Sequence, residues 1–182
     1  MSGDSIPSTL HALVVMGVAG SGKTTIAKAL GDRIGWTFKD GDAFHPASNV
    51  EKMRSGHPLT DADRWPWLRA IAAELDRTRD AGEHLVVACS ALKRAYRDIL
   101  IGQRSGVRLI YLKGSRNLIL QRLRQRRGHF MPPELLDSQF ATLEEPGGDE
   151  HAIVADISAS VDAIVDDIVR QLQRSSSALA AL

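Results

Sequence analysis

The sequence is poor in cysteine, in aromatic residues and in net charge. Its one cysteine, Cys89, excludes an internal disulfide framework and a zinc site built of cysteines alone. Placed at the end of an apolar run, it reads as a small buried residue. Lys and Arg number 23 against 22 Asp and Glu, a net charge of +1, which argues against nucleic acid or a membrane surface as the main partner. No apolar run reaches membrane-spanning length, and residues 1–9 carry no basic, long-apolar leader; a cytoplasmic protein is expected. The chain shows no internal repeat and no linker long enough to divide it. Its 182 residues therefore predict one domain, 1–182, able to bury a core without staples. Hydrophobic content of 43% and charged content of 25% are ordinary for such a domain.

The chain is organised around residues 17–24, GVAGSGKT, which satisfy the G-x-x-x-x-G-K-[ST] phosphate-binding pattern at Gly17, Gly22, Lys23 and Thr24. The apolar run Leu13–Met16 before it reads as a buried strand, and Lys23–Ile34 after it as a helix. In that context the backbone from Gly17 through Val18, Ala19, Gly20, Ser21 and Gly22 to Lys23, Thr24 and Thr25 curls its N–H groups inward as an anion nest. Lys23 supplies charge to the β- and γ-phosphates, and Thr24 a hydroxyl to Mg²⁺.

Further runs follow in alternation: strands at 36–39, 85–88, 107–112 and 153–156, and helices at 46–55, 60–79, 93–100, 117–126, 134–143 and 161–172. Thr60-Asp61-Ala62-Asp63 resembles a capping box, and Pro66 marks the first turn of a second helical piece. Val161, Ile164, Val165, Ile168, Val169 and Leu172 keep helical spacing, while the Ser/Ala-rich tail 174–182 reads as frayed. Alternating strands and helices predict an α/β fold, a parallel sheet covered on both faces. Its site lies at the carboxyl ends of the strands: Gly17, Asp40–Asp42, Cys89–Lys93, Gly114 and Asp156.

Two absences sharpen this reading. The third strand ends Ala88-Cys89-Ser90, without the metal-binding Asp common at that place in P-loop ATPases, and no N-K-x-D guanine-reading motif appears. The acid for the metal must come from elsewhere, which strengthens the case for Asp40 and Asp42, whose carboxylates point the same way in extended chain. Asp42 is assigned the attacking hydroxyl and Asp40 the metal shell, and Gly41 lets the backbone pass close to a ligand. A polar Asp-Gly turn is the alternative.

The helix Gln121-Arg122-Leu123-Arg124-Gln125-Arg126-Arg127 is strongly basic, and Gly128 and Pro132-Pro133 bracket a short segment behind it. A lid over about 124–138 fits this pattern, bringing Arg122 and Arg126, one turn apart, to the moving phosphoryl group. A solvated cationic face is the alternative, and Arg127 faces solvent. His129 reads as a hydrogen-bonding residue rather than a metal ligand. An insert over about 43–80 holds His45, Asn49, Lys52, Arg54, Asp61, Asp63, Arg64, Trp65 and Trp67. That mixture suits a small hydroxylated anion, with Arg64 or Lys52 on its carboxylate. Taken singly, Asp61, Asp63 and Lys52 read better as exposed helix charges, and the two Trp as core.

GVAGSGKT, DGDAFHPASNVEKMRSGHPLTDADRWPWL, CSALKRAYRD, IYLKG, RLRQRRGHFM and QFATLEEP together resemble the small P-loop gluconokinases, over residues 13–156. The resemblance implies transfer of the ATP γ-phosphoryl group to the 6-hydroxyl of D-gluconate, with Mg²⁺. It implies a fold like adenylate and shikimate kinases, a five-stranded sheet ordered 2-3-1-4-5, and a homodimer. By likeness Gly17–Thr24 hold ATP and Mg²⁺, and Asp42 meets the substrate hydroxyl. Arg64 holds the carboxylate, Lys93 meets substrate or phosphoryl group, and Arg126 stacks on adenine. A kinase for another small hydroxy acid such as shikimate, or a non-catalytic ATP-binding regulator, are the competing readings.

Overall fold

Central strand β1 (Ala12–Met16) is buried along its whole length, as a parallel strand covered on both faces must be. It pairs with β3 (Leu85–Ala88) on one side and β4 (Val107–Lys113) on the other. Strands β2 (Thr37–Asp40) and β5 (Ile153–Asp156) complete a parallel sheet ordered β2-β3-β1-β4-β5, the order the resemblance implies. The computed structural model describes residues 6–125 and 133–179, with side chains to Arg174.

Alternation along β1 divides the core. Leu13 and Val15 point into a cluster shared with Ile26 and Leu30 of helix α1 (Lys23–Ile34) and Ile164, Val165, Ile168, Val169 and Leu172 of α7 (Val161–Leu179). Ala12, Val14 and Met16 point into the opposite cluster, with Trp67, Leu68, Ile71 and Leu75 of α3 (Asp61–Asp80) and Tyr96 and Leu100 of α4 (Arg94–Leu100). Helices α2 (Ala47–Arg54), α5 (Arg116–Gln125) and α6 (Pro133–Thr142) lie in the connections. Among the described residues no helix is long and apolar enough to cross a membrane.

The structure departs from the sequence expectations at four places. Pro66 does not open a second helical piece: α3 is one helix with Pro66 inside it. The proline removes one N–H from the ladder, but the Thr60–Asp63 capping box fixes the entry, and Trp67, Leu68, Ile71, Ala72 and Leu75 bury one continuous stripe. Tertiary packing outweighs the local break. At the C-terminus α7 runs on to Leu179 through the Ser/Ala segment, continuing the helix already docked through Ile164, Val165, Ile168, Val169 and Leu172. Val161, at the first turn of α7, is 38% exposed rather than part of the apolar face. Finally, Asp40 and Asp42 are not neighbours on an extended strand. The chain leaves β2 directly into a 3₁₀ turn, Gly41–Phe44, in which the Asp40 carboxylate accepts a 3.0 Å hydrogen bond from the Asp42 N–H.

Candidate active site

The loop between β1 and α1 turns at Gly22, which holds φ 93°, a left-handed conformation that side chains resist. The α1 N-terminus thus faces the loop's concave side, where an anion is stabilised. The Lys23 ammonium lies 3.1 Å from the Val18 carbonyl, which also accepts from the Ser21 N–H at 3.2 Å. Gly20, Gly22, Lys23, Thr24, Asp40, Asp42, Ala88 and Cys89 line a cleft of about 120 Å³. That is space for a phosphoryl group and its counter-ion, not for a whole ligand. Burial pushes the Cys89 thiol up to about 12, so it stays neutral and unreactive.

Both acids reach this cleft. The Asp42 side chain is 84% exposed and open to a ligand. Asp40 Oδ2 accepts from the Thr24 hydroxyl at 3.5 Å, so a hydroxyl and a carboxylate stand together. These hard oxygens fit Mg²⁺, which takes one or two protein ligands and completes its shell with water and phosphate oxygens. Among the described residues there is no cluster of three or more His, Cys, Asp or Glu arranged for a metal. Gly41 serves the sheet rather than a ligand: it is buried, and a Cβ there would collide with the Ala88 carbonyl oxygen.

His45 is packed behind Asp42. Its ring stacks on Trp67 at 4.2 Å, and burial lowers its pKa. The Asn49 side-chain N–H₂ donates to the Asp63 carbonyl at 2.8 Å and meets His45 Nδ1 at 3.2 Å. In the tautomer whose Nδ1 accepts from Asn49, Nε2 holds the proton; it lies 4.0 Å from Asp42 Oδ1, beyond hydrogen-bond reach. Trp67 is core, as the sequence suggests, and its indole N–H also donates to the Gly41 carbonyl at 2.7 Å. Lys52 is engaged in the scaffold, 2.6 Å from Asp63.

Arg64 and Lys93 come together around one ring. Their cationic groups lie 5.8 and 5.6 Å from the Tyr96 centroid. Lys93 donates to both Asp61 oxygens at 3.0 and 2.9 Å, Arg64 lies 3.9 Å from the same carboxylate and donates to the Leu59 carbonyl at 2.6 Å, and the Tyr96 hydroxyl donates to Asp61 as well. The Tyr96 hydrogen bond and Lys93 hold the Asp61 carboxyl below its ordinary range, and Asp61 in turn raises Lys93. Asp61 and Tyr96 are members of this cluster that sequence reasoning did not single out as functional.

Arg122 donates to the Ile157 carbonyl, just beyond β5. Arg126, Arg127, Gly128, His129 and Pro132 lie outside the described residues, so the expected lid is described only at its roots, the end of α5 and the start of α6. Four residues went unread in the sequence: Gln139, Glu144, Glu145 and Glu150. Gln139 accepts from the Ala19 N–H at 2.6 Å. Glu144 accepts from the Arg94 N–H at 2.7 Å, Glu145 pairs with Lys113 at 2.8 Å, and Glu150 pairs with buried Arg97 at 2.6 Å. The QFATLEEP motif contains three of the four, but nothing local to it reveals their partners.

The sheet order, the glycine loop at the end of β1 and the acid pair across the cleft define a P-loop kinase fold. Residues 13–146 match the model of the AAA domain family. The chain is 48% identical over 161 residues to the gluconokinase of Gluconobacter oxydans, covering 88% of this chain and 90% of that protein. It superposes on the crystal structure of a gluconokinase from Sinorhizobium meliloti with a TM-score of 0.84 at 42% identity, covering 93% and 95%. With shikimate kinase from Bacteroides thetaiotaomicron it shares the fold alone, at a TM-score of 0.65 and 15% identity over 90% and 98%. The chain belongs to the gluconokinase family.

Proposed function

We infer that the protein transfers the γ-phosphoryl group of ATP to the 6-hydroxyl of D-gluconate, giving 6-phosphogluconate and ADP. The observation that carries this reading is the shared cleft: Lys23 and Thr24 of the phosphate loop line it together with Asp40 and Asp42. Loop amides and Lys23 bind the nucleotide's phosphates. Thr24 and Asp40 would hold Mg²⁺, which when bound neutralises charge on the phosphoryl oxygens. Asp42 accepts the proton of the attacking hydroxyl and aims its oxygen in line. Arg64 and Lys93 bind the acceptor's carboxylate, which selects an acid over a neutral sugar by charge-assisted hydrogen bonds. Arg122 and Arg126 contribute from the lid side. Family likeness supports a homodimer as the working assembly.

The test is ADP release with gluconate, shikimate and nucleoside monophosphates as acceptors. Gluconate should stimulate turnover by about 10⁴-fold over acceptors that leave the polar site unpaired. Equal stimulation by the others, or none by gluconate, removes the reading. Asp42→Asn should lower kcat by about 10²–10⁴-fold with little change in the ATP KM.

A further inference from the structure

The Val18–Ala19 peptide is gripped on both sides. Its carbonyl oxygen accepts from the Lys23 ammonium at 3.1 Å and the Ser21 N–H at 3.2 Å. Its N–H donates to the side-chain oxygen of Gln139 at 2.6 Å. Gln139 comes from α6, 120 residues away in sequence, and is half-buried. The peptide joins two residues that carry a Cβ, but Gly17 and Gly20 flank it at φ 157° and 79°, so the loop on either side can follow a change in its orientation. Rotating this peptide would carry the Val18 carbonyl away from Lys23 and Ser21, so an acceptor on its N–H side decides where its C=O side points.

We propose that Gln139 is a positioning residue for phosphoryl transfer: by fixing the Val18–Ala19 peptide it sets the loop geometry from which Lys23 reaches the β- and γ-phosphates. Gln139 needs no contact with substrate for this. Its amide oxygen is suited to the task because it accepts without adding a negative charge beside the phosphates, as a carboxylate would. α6 thereby reads and restrains the phosphate loop from outside it. The proposal rests on the kinase reading only for its effect on kcat; its effect on the loop and on nucleotide binding stands apart from the identity of the acceptor.

Gln139→Met keeps length and approximate volume and removes the acceptor, whereas Gln139→Glu keeps the acceptor. In Gln139→Met the Ala19 amide proton should move upfield in a ¹⁵N-correlated spectrum and exchange faster with solvent. Calorimetric titration with Mg·ATP should show a Kd about tenfold higher, the scale of one lost hydrogen bond, and kcat should fall by a similar factor with the gluconate KM within twofold. In Gln139→Glu without nucleotide the Ala19 proton should stay near its wild-type shift, while ATP binds more weakly through charge repulsion. An unmoved Ala19 resonance in Gln139→Met, or unchanged ATP affinity and kcat, overturns the proposal. If gluconate proves not to be the acceptor, the spectrum and the ATP titration still decide it.

Discussion

The Trp67 indole N–H donates to the Gly41 carbonyl at 2.7 Å, across a separation of 26 residues. This one bond ties α3 to the turn that carries Asp40 on one side and Asp42 on the other. Both partners are buried, so the carbonyl has no water to turn to. Trp67→Phe keeps an aromatic ring for His45 to stack on but orphans the Gly41 oxygen. Expected is a loss of about 1–3 kcal/mol in urea-induced unfolding, together with a lower kcat as the acid turn loosens. Unchanged unfolding and turnover would show that the bond does not set the turn.

The cluster around Tyr96 makes a separate prediction. Lys93 and Arg64 both pair with Asp61, and the acceptor's carboxylate is assigned to these cations. Lys93→Met should raise the gluconate KM by about 10–100-fold, the scale of a hydrogen bond to a charged group, with the ATP KM within twofold. Asp61→Asn should act through Lys93: its pKa falls toward the ordinary value as its charged partner goes, and the gluconate KM shifts without a large change in ATP binding. Steady-state kinetics with each substrate varied separately checks both. A change confined to the ATP KM contradicts the assignment.

How much of this was legible beforehand depended on whether the cause was local. Lys23–Ile34 is a helix from sequence and structure alike, because the glycine loop before it and Gly35 after it punctuate the chain. The strands Leu85–Ala88 and Ile153–Asp156 likewise stand where short apolar runs place them. The continuity of α3 through Pro66 was hidden, since a proline breaks helices unless a buried stripe beyond it compensates, and burial is a tertiary fact. The geometry of Asp40 and Asp42 was hidden for the same reason: strand alternation places side chains only while the strand lasts, and β2 ends at Asp40. Gln139 and Glu150 were invisible because their partners, Ala19 and Arg97, lie 120 and 53 residues away and leave no periodic trace.

Acid should expose the insert's scaffold. Asp63 has its carboxyl lowered to about 2, first by the Lys52 hydrogen bond and then by those from Thr60. The folded state therefore holds the ionised form more strongly than the unfolded chain, whose ordinary value is 3.8. Its contribution is fully present above the unfolded value and is lost as pH falls from 3.8 toward 2. Glu74, also lowered to about 2 from 4.5, adds to the same limb. Melting temperature followed from pH 6 down to about 2.5 should decline below about 4.5 in the wild type and decline less steeply in Asp63→Asn, which should also start lower at neutral pH. Parallel acid limbs in the two proteins would separate Asp63 from the capping role.

Two residues before Lys93 the chain makes a left-handed turn. Ala91 holds φ 43°, left-handed and unusual for a residue with a Cβ. Its carbonyl and that of Leu92 accept from Arg97 Nη1 at 3.0 and 3.2 Å, while the rest of the guanidinium pairs with Glu150 at 2.6 and 3.0 Å. The Arg97 side chain is 1% exposed and that of Glu150 9%. Removing one member strands a buried charge, so Glu150→Gln should cost about 3–5 kcal/mol. Arg97→Met should cost a similar amount and also release the Ala91 and Leu92 carbonyls, letting the left-handed turn relax and carrying Lys93 with it. Arg97→Met combined with Glu150→Met leaves no stranded charge and should recover part of the stability. It should not recover the gluconate KM, because the two carbonyls still lack their donor. Chemical unfolding and acceptor kinetics on the three variants separate these effects: stability restored together with KM would mean that the ion pair, and not the hold on the Ala91 turn, governs Lys93.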